Sequence, residues 1–166
     1  MGQGAEGIVK TFPLPKWLAS RSRRAPVSTI VLHATAGGSL SGAVSTLIQR
    51  ELSYHYLIDK DGKVVKAVPY TREAFHAGKS FGPEGEGVNR YSIGVSFVNK
   101  NDGKDPYTQA QIDSCRELVA ELAAALPTLR WITTHYAISP GRKTDPKGFP
   151  CQKVAETLMC WKVMAP

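Results

Sequence analysis

Cysteine is scarce in this chain. Three residues, Cys115, Cys151 and Cys160, stand among 166, too few and too widely spaced for a disulfide framework or an all-cysteine zinc site. If Cys151 and Cys160 share a helix, nine residues set them about 13 Å apart, beyond disulfide reach, so all three read as reduced packing residues. No apolar run approaches the roughly 20 residues of a bilayer-spanning helix. The first residues, Met1-Gly2-Gln3-Gly4-Ala5-Glu6, lack a basic region followed by an apolar segment, so synthesis in the cytosol without a secretion signal is expected. Gly2 invites myristoylation, but Glu6 stands where that motif needs Ser or Thr. His-Glu-x-x-His, Cys-x-x-Cys and Gly-x-Ser-x-Gly are all missing, which removes support for thermolysin-type zinc sites, zinc ribbons and serine hydrolases.

Acidic residues are also in deficit, 14 against 21 Lys and Arg, for a net charge of +7 and a pI near 9.4. Such a balance favours a polyanionic partner: nucleic acid, acidic lipid or an anionic wall polymer. No RNP, helix-turn-helix or zinc-finger pattern accompanies Arg21, Arg23 and Arg24, so specific nucleic-acid binding is not expected. Length predicts one compact domain with a core large enough to need no staples. With 42% hydrophobic and 21% charged residues, the chain is neither disordered nor fibrous. No pairing motif is visible, so a monomer is expected.

Residues 1–26, rich in Gly and Pro, read either as an extended basic arm laid over a domain of residues 27–166 or as a solvated tail. Ser28 to His33 is an apolar, β-prone run that ends in the loop Ala34-Thr35-Ala36-Gly37-Gly38. Residues 41–52 set Val44, Leu47, Ile48 and Leu52 on one helical face, with Ser41 as a candidate N-cap. Tyr54–Ile58 and Val64–Val68 flank Asp59-Lys60-Asp61-Gly62, whose Asp-Gly step predicts an antiparallel hairpin. Residues 71–90 show no sustained period and read as a long loop, a common place for function. Ser92–Val98 alternates as a strand of the sheet interior. Thr108 and Gln111 form a capping box ahead of a helix carrying Ile112, Cys115, Leu118, Val119, Leu122 and Leu126 up to Pro127. Trp131–Thr134 is a short strand, 139–150 a loop, and a last helix would carry Val154, Leu158 and Trp161. Helices interleaved among strands predict an α/β domain with a central mixed sheet of five to six strands flanked by helices.

His33 and His135 each follow an apolar strand and open a loop, the strand-end position where ligands bind in open α/β sheets. A lone histidine after a strand is more often structural. Asp145, ten residues beyond His135 in Pro140-Gly141-Arg142-Lys143-Thr144-Asp145-Pro146, changes the weighing: two imidazoles and one carboxylate leave a fourth tetrahedral position open. That is the donor set of a hydrolytic zinc, which brings the pKa of a bound water to about 7.

Five blocks now stand in order: Val31-Leu32-His33-Ala34-Thr35-Ala36-Gly37, Ser53-Tyr54-His55-Tyr56-Leu57-Ile58, Ala74-Phe75-His76-Ala77-Gly78, Asn89-Arg90-Tyr91-Ser92-Ile93-Gly94-Val95, and His135-Tyr136 through Lys143-Thr144-Asp145-Pro146. Together they resemble the type 2 N-acetylmuramoyl-L-alanine amidases, which include phage endolysins and peptidoglycan recognition proteins, across roughly residues 28–161. The resemblance implies an amidase and recognition-protein-like fold and one zinc ion on His33, His135 and Asp145, Asp145 standing where some relatives use Cys. It implies that Lys143 faces the oxyanion and that Tyr54 orients or deprotonates the zinc-bound water. Ser96 occupies a position where other members carry a glutamate base, which leaves that role to Tyr54 or to the zinc hydroxide. His76 would contact substrate, and Phe75, Asn89 and Thr144 would line the groove; His55, adjacent to Tyr54 on a strand, would face away.

The activity so implied is zinc-dependent cleavage of the amide between N-acetylmuramic acid and L-alanine of peptidoglycan. A phage or prophage endolysin fits first, made in the cytoplasm and acting on the wall after release, with anionic wall or outer-membrane polymers attracted by charge. A wall-recycling or autolytic amidase and a non-catalytic peptidoglycan-binding protein are the alternatives; the latter typically lose a zinc ligand, and here all three are present.

Overall fold

The computed structural model describes residues 9–162, so the amino-terminal residues 1–8, with Gly2 and Glu6, lie outside the described residues. Two short strands come first, β1 (Thr11–Pro13) and β2 (Ser20–Ser22), followed by β3 (Thr29–Ala34), helix α1 (Leu40–Arg50), β4 (Tyr56–Ile58) and β5 (Val64–Lys66). Then come β6 (Arg72–Ala74), β7 (Phe81–Gly82), β8 (Gly85–Glu86), a 3-10 turn at Val88–Tyr91, and β9 (Ser92–Phe97). The chain closes with α2 (Gln109–Ala125), β10 (Trp131–Thr134), the short α3 (His135–Ile138), a 3-10 turn at Cys151–Lys153 and β11 (Met159–Cys160).

The central sheet has seven strands in the order β1-β5-β4-β9-β3-β10-β11. It is mixed: β4 and β5 run antiparallel, and the other neighbours are parallel. Every residue of β3 and β9 is buried, as parallel strands covered on both faces require. Two of the seven strands, the edges β1 and β11, have three and two residues and are too short to carry a period. Residues 9–26 contribute β1 to this sheet and β2 to an antiparallel pair with β6.

Alternation sorts β3 onto two faces. Ile30 and Leu32 join Ile93, Val95, Phe97, Ile132 and the α2 residues Ile112, Cys115, Leu118, Val119 and Leu122 in the largest core cluster. Val31 packs the other way, against Ala77, Val88, Tyr91 and Ile138. His33, two residues on, therefore points away from α2. The capping box of α2 forms as the sequence predicts, with the Thr108 hydroxyl accepting from Gln111 N at 3.0 Å and the Gln111 side chain accepting from Thr108 N at 3.1 Å.

Four local expectations are corrected. The N-cap of α1 is Ser39, whose side chain accepts from Gly42 N at 3.1 Å, not Ser41. Of its apolar face only Leu47 is buried; Ile48 and Leu52 are exposed. Residues 71–90 hold β6, β7 and β8, whose two or three residues show no periodicity. Among the described residues the last helix is absent: Cys151–Lys153 is a single 3-10 turn and β11 pairs with β10. Its apolar positions are nonetheless core, since Val154 and Leu158 pack with Phe149 and Cys151 in the main cluster. Cys160, off any helix, stands close enough to Cys151 to help burial raise the Cys151 thiol to about 12.

Candidate metal centre and groove

β3 and β10 are parallel neighbours, with Leu32 opposite Thr134. The next residue on each is a histidine, so strand register alone brings His33 and His135 together at the carboxyl ends of the strands. The Thr134 hydroxyl caps α3, accepting from Ala137 N at 3.1 Å, which turns the chain just after the strand. Asp145 enters from the following loop, anchored by Tyr136 N donating to Asp145 O at 2.9 Å and Ala34 N donating to Asp145 Oδ2 at 3.2 Å. The three side chains are buried, and one donor atom from each lies within 4.8 Å of the others.

Their distances are those of a coordination shell. His33 Nδ1 and His135 Nδ1 are 3.1 Å apart, His135 Nδ1 is 3.1 Å from Asp145 Oδ1, and His33 Nδ1 is 3.4 Å from Asp145 Oδ2. A tetrahedron with metal–donor bonds of 2.0–2.1 Å has edges of about 3.3 Å. The outer nitrogen of each ring is engaged: His135 Nε2 faces the Ala77 carbonyl at 3.1 Å, and His33 Nε2 faces His76 Nδ1 at 2.9 Å. A carbonyl can only accept, so His135 carries its proton on Nε2 and turns the Nδ1 lone pair toward a carboxylate oxygen. Two electron-rich atoms at that distance require a positive charge between them, and a third donor facing the same point fits a metal ion better than a proton.

The electrostatics agree. Burial, with the neighbouring His135, pushes His33 down to about 4, so its imidazole is neutral and available for ligation at neutral pH. Burial pushes the Asp145 carboxyl up, but its close contacts with the His135 and His33 rings outweigh this and hold the group ionised, well below the usual carboxylate range.

The three donors stand at one side of a groove of about 760 Å³ bordered by Thr35–Ser39, α1 from Gly42 to Arg50, Leu52, Tyr54, Phe75–Gly78, Asn89, Asn101 and Arg142–Asp145. Tyr54 packs against His33, its ring tilted by 53° with the centroids 4.9 Å apart. Lys143 is half-buried and near enough for its charge to act on His33. Phe75 is half-buried and Thr144 exposed on the groove wall. Asn89 turns its side-chain oxygen inward, accepting from His76 N at 3.1 Å and Ala77 N at 2.9 Å. His76 also borders the groove but is 8% exposed. His55 points elsewhere, its Nδ1 accepting from Gly94 N at 2.9 Å. Ser96 Oγ is buried without a hydrogen-bond partner among the described residues.

Sequence reasoning passed over Arg50, Thr46 and Asn101, exposed or half-buried groove residues with no motif around them, and Thr35 and Arg142, which lie inside recognised blocks. Arg142 clamps the groove wall, one guanidinium nitrogen donating to Ala77 O at 2.7 Å and Lys79 O at 2.9 Å. Arg23 and Arg24 are both engaged within the fold: half-buried Arg23 donates to Tyr70 O at 2.8 Å, and Arg24, itself exposed, pairs with buried Glu73 at 2.9 Å.

Comparison with known proteins gives the same picture at three levels. Residues 23–148 match the family model of N-acetylmuramoyl-L-alanine amidase. The 1,6-anhydro-N-acetylmuramyl-L-alanine amidase AmpD of Enterobacter cloacae is 40% identical over 98 residues, 57% of this chain and 50% of its own length. The chain thus spans about half the length of the sequence relatives it matches. Among solved structures, the Escherichia coli amidase AmiD, in complex with anhydro-N-acetylmuramic acid-L-Ala-D-gamma-Glu-L-Lys, is 25% identical with a TM-score of 0.69 over 82% of this chain and 60% of that one. The amidase LysC from Clostridium intestinale shares the fold at 22% identity, with a TM-score of 0.72 over 89% of this chain and 95% of that one. The family match covers both histidines, the aspartate and the sheet that aligns them, and the chain belongs to the N-acetylmuramoyl-L-alanine amidase family.

Proposed function

We propose that this protein is a zinc-dependent peptidoglycan amidase that hydrolyses the bond between the lactyl carbonyl of N-acetylmuramic acid and the amine of L-alanine. The observation that carries the reading is the convergence of His33, His135 and Asp145 beside a groove of about 760 Å³. One zinc ion held by these residues would supply Lewis acidity and an activated water.

The remaining work falls to the chain. Lys143 offers a fixed ammonium to the oxygen that gains charge as the amide carbonyl is attacked. Tyr54, whose phenol is pushed up to about 12 by burial and by the charge of Asp145, keeps its proton at neutral pH and acts as a hydrogen-bond donor that orients the attacking water. With serine at position 96 no carboxylate stands there as base. Phe75, Thr144 and Asn89 would contact the substrate along the wall, with Arg50 and Arg142 adding positive charge to a groove whose substrate carries carboxylates.

The net charge of +7 supports attraction to anionic wall polymers, and raised salt should then weaken wall binding. An endolysin acting on intact wall after release and a recycling enzyme acting on soluble fragments use the same chemistry. The Enterobacter cloacae relative is a 1,6-anhydro-N-acetylmuramyl-L-alanine amidase, which favours the second.

The test is hydrolysis of purified peptidoglycan and of a soluble 1,6-anhydromuropeptide, scoring new L-alanine amino termini against new reducing sugars, with chelator and zinc re-addition. Amino termini that vanish with chelator and return with zinc are expected. New reducing ends instead, or cleavage indifferent to chelator, would overturn the assignment. The faster substrate separates wall lysis from recycling, and capture of wall without cleavage would mark a recognition protein.

A further inference from the structure

We propose that His76 is a positioning residue: by accepting a hydrogen bond from His33 Nε2 it fixes His33 as a metal ligand through Nδ1. The inference rests on the metal reading of His33, His135 and Asp145, and on three contacts around His76.

The first is the direction of the bond. His33 Nδ1 is the atom turned to His135 and Asp145. A neutral imidazole that gives Nδ1 to a metal carries its proton on Nε2 and must donate it. The side-chain atom that meets it is His76 Nδ1, at 2.9 Å. His76 must therefore leave Nδ1 bare and keep its proton on Nε2, where Ser92 Oγ stands at 3.1 Å to receive it. Donor and acceptor roles run one way along His33, His76 and Ser92.

The second is the fit of the ring. His76 sits on Gly94: a Cβ built there would meet the ring at 2.6 Å from Cγ and 2.8 Å from Nδ1. Ser92, Gly94 and Ser96 of β9 lie in register with Thr29, Val31 and His33 of β3, so a row of small residues leaves the space that the imidazole fills. The third is its backbone, held by Asn89 Oδ1 at 3.1 Å. With both ring nitrogens occupied and 8% of the residue exposed, the His76 side chain has no polar atom free for a substrate in the groove.

The two ligand histidines are thereby held by different means. His135 donates to a main-chain carbonyl, which no substitution removes, whereas the support of His33 is a side chain. Loss of such an outer partner typically costs about 10–100-fold in metal affinity or activity.

The experiment measures zinc affinity of the full chain by competition with a chromophoric chelator, for the parent, His76→Leu, His76→Asn and Ser92→Ala, with the melting temperature of each metal-free protein alongside. Asparagine sets its Oδ1 near the place of the histidine Nδ1 and restores an acceptor. Expected are a loss of about tenfold or more in His76→Leu, recovery in His76→Asn to within a few-fold of the parent, and a smaller loss in Ser92→Ala. Nitrogen-15 NMR of the zinc-loaded parent should find the His76 proton on Nε2. Parent-like affinity in folded His76→Leu, asparagine no better than leucine, or a proton on His76 Nδ1 would each overturn the proposal. If His76→Leu does not fold, Ser92→Ala and the tautomer decide. Zinc affinity is read apart from amide cleavage, so a parent that binds zinc but cleaves nothing defeats the proposed activity and leaves this inference standing; a parent that binds no zinc defeats both.

Discussion

The Cα of Gly94 lies so close beneath the imidazole of His76 that a Cβ there would stand 2.6 Å from its Cγ and 2.9 Å from its Cδ2. The ring has little freedom to retreat, being bonded to Ser92 on one side and His33 on the other. Overpacking of this kind costs about 1–3 kcal/mol, and in a chain of this size each kcal/mol lowers the melting temperature by roughly 2–4 °C. Gly94→Ala should melt several degrees below the parent in a thermal scan and bind zinc more weakly. Gly37→Ala, where nothing lies within 4 Å of the added carbon, should leave the melting temperature nearly unchanged.

Lys143 is placed by its own loop, its amide donating to Ser139 O at 3.0 Å, and its charge reaches His33. A cation that acts on an oxyanion is felt only in the transition state. Lys143→Ala should therefore lower kcat by about a hundredfold or more, with KM within a few-fold and zinc still bound. Steady-state kinetics on a muropeptide, with metal content measured on the same sample, check this. A change confined to KM would make Lys143 a binding residue.

Tyr54 meets His33 through its ring, and its hydroxyl is raised to about 12 first by burial and then by the Asp145 charge. Since the folded value lies far above neutrality, the phenol is protonated between pH 6 and 9 and donates rather than accepts. Tyr54→Phe should lower kcat by about tenfold, the worth of one hydrogen bond of about 1.4 kcal/mol, and leave the shape of the rate–pH profile below pH 9 intact. Disappearance of an ionisation from that profile would show a phenolate acting as base.

Much of this site can be read from residue order, and the reason is register. Once Thr29–His33 and Trp131–Thr134 are recognised as strands, parallel pairing brings His33 beside His135, and only Asp145 needs the loop. The alternation of Ile93, Val95 and Phe97 marks the core face of β9. The other half of that pattern, Ser92, Gly94 and Ser96, looks unremarkable in sequence because its meaning is the space it leaves for His76. Residues 71–90 and 151–161 are misread for a different reason. β6 is held by β2 and β11 by β10, partners distant in the chain, while β7 and β8 pair with each other, and a two- or three-residue strand carries no period of its own. Val154 and Leu158 are core without being helical, since burial needs only an inward direction at each residue.

Glu73 offers a separate test of how the amino-terminal segment is tied down. It is fully buried on β6, and it accepts from Arg24 N at 2.8 Å and from the Arg24 side chain at 2.9, 3.0 and 3.2 Å. Burial alone would push its carboxyl up; the Arg24 hydrogen bonds outweigh it and hold the group below its ordinary value. A carboxyl depressed in the folded state stabilises the fold fully above its unfolded value, about 4.3, and loses that contribution as pH falls through the folded value. Glu73→Gln should thus melt below the parent at pH 7, and the gap should narrow as pH falls below about 4, because protonation makes the parent resemble the variant. Asp145 titrates equally in both proteins and cancels in the difference. Melting temperatures from pH 7 to pH 3 decide: a gap that stays constant would mean that Glu73 holds Arg24 through shape and hydrogen bonding rather than through its charge.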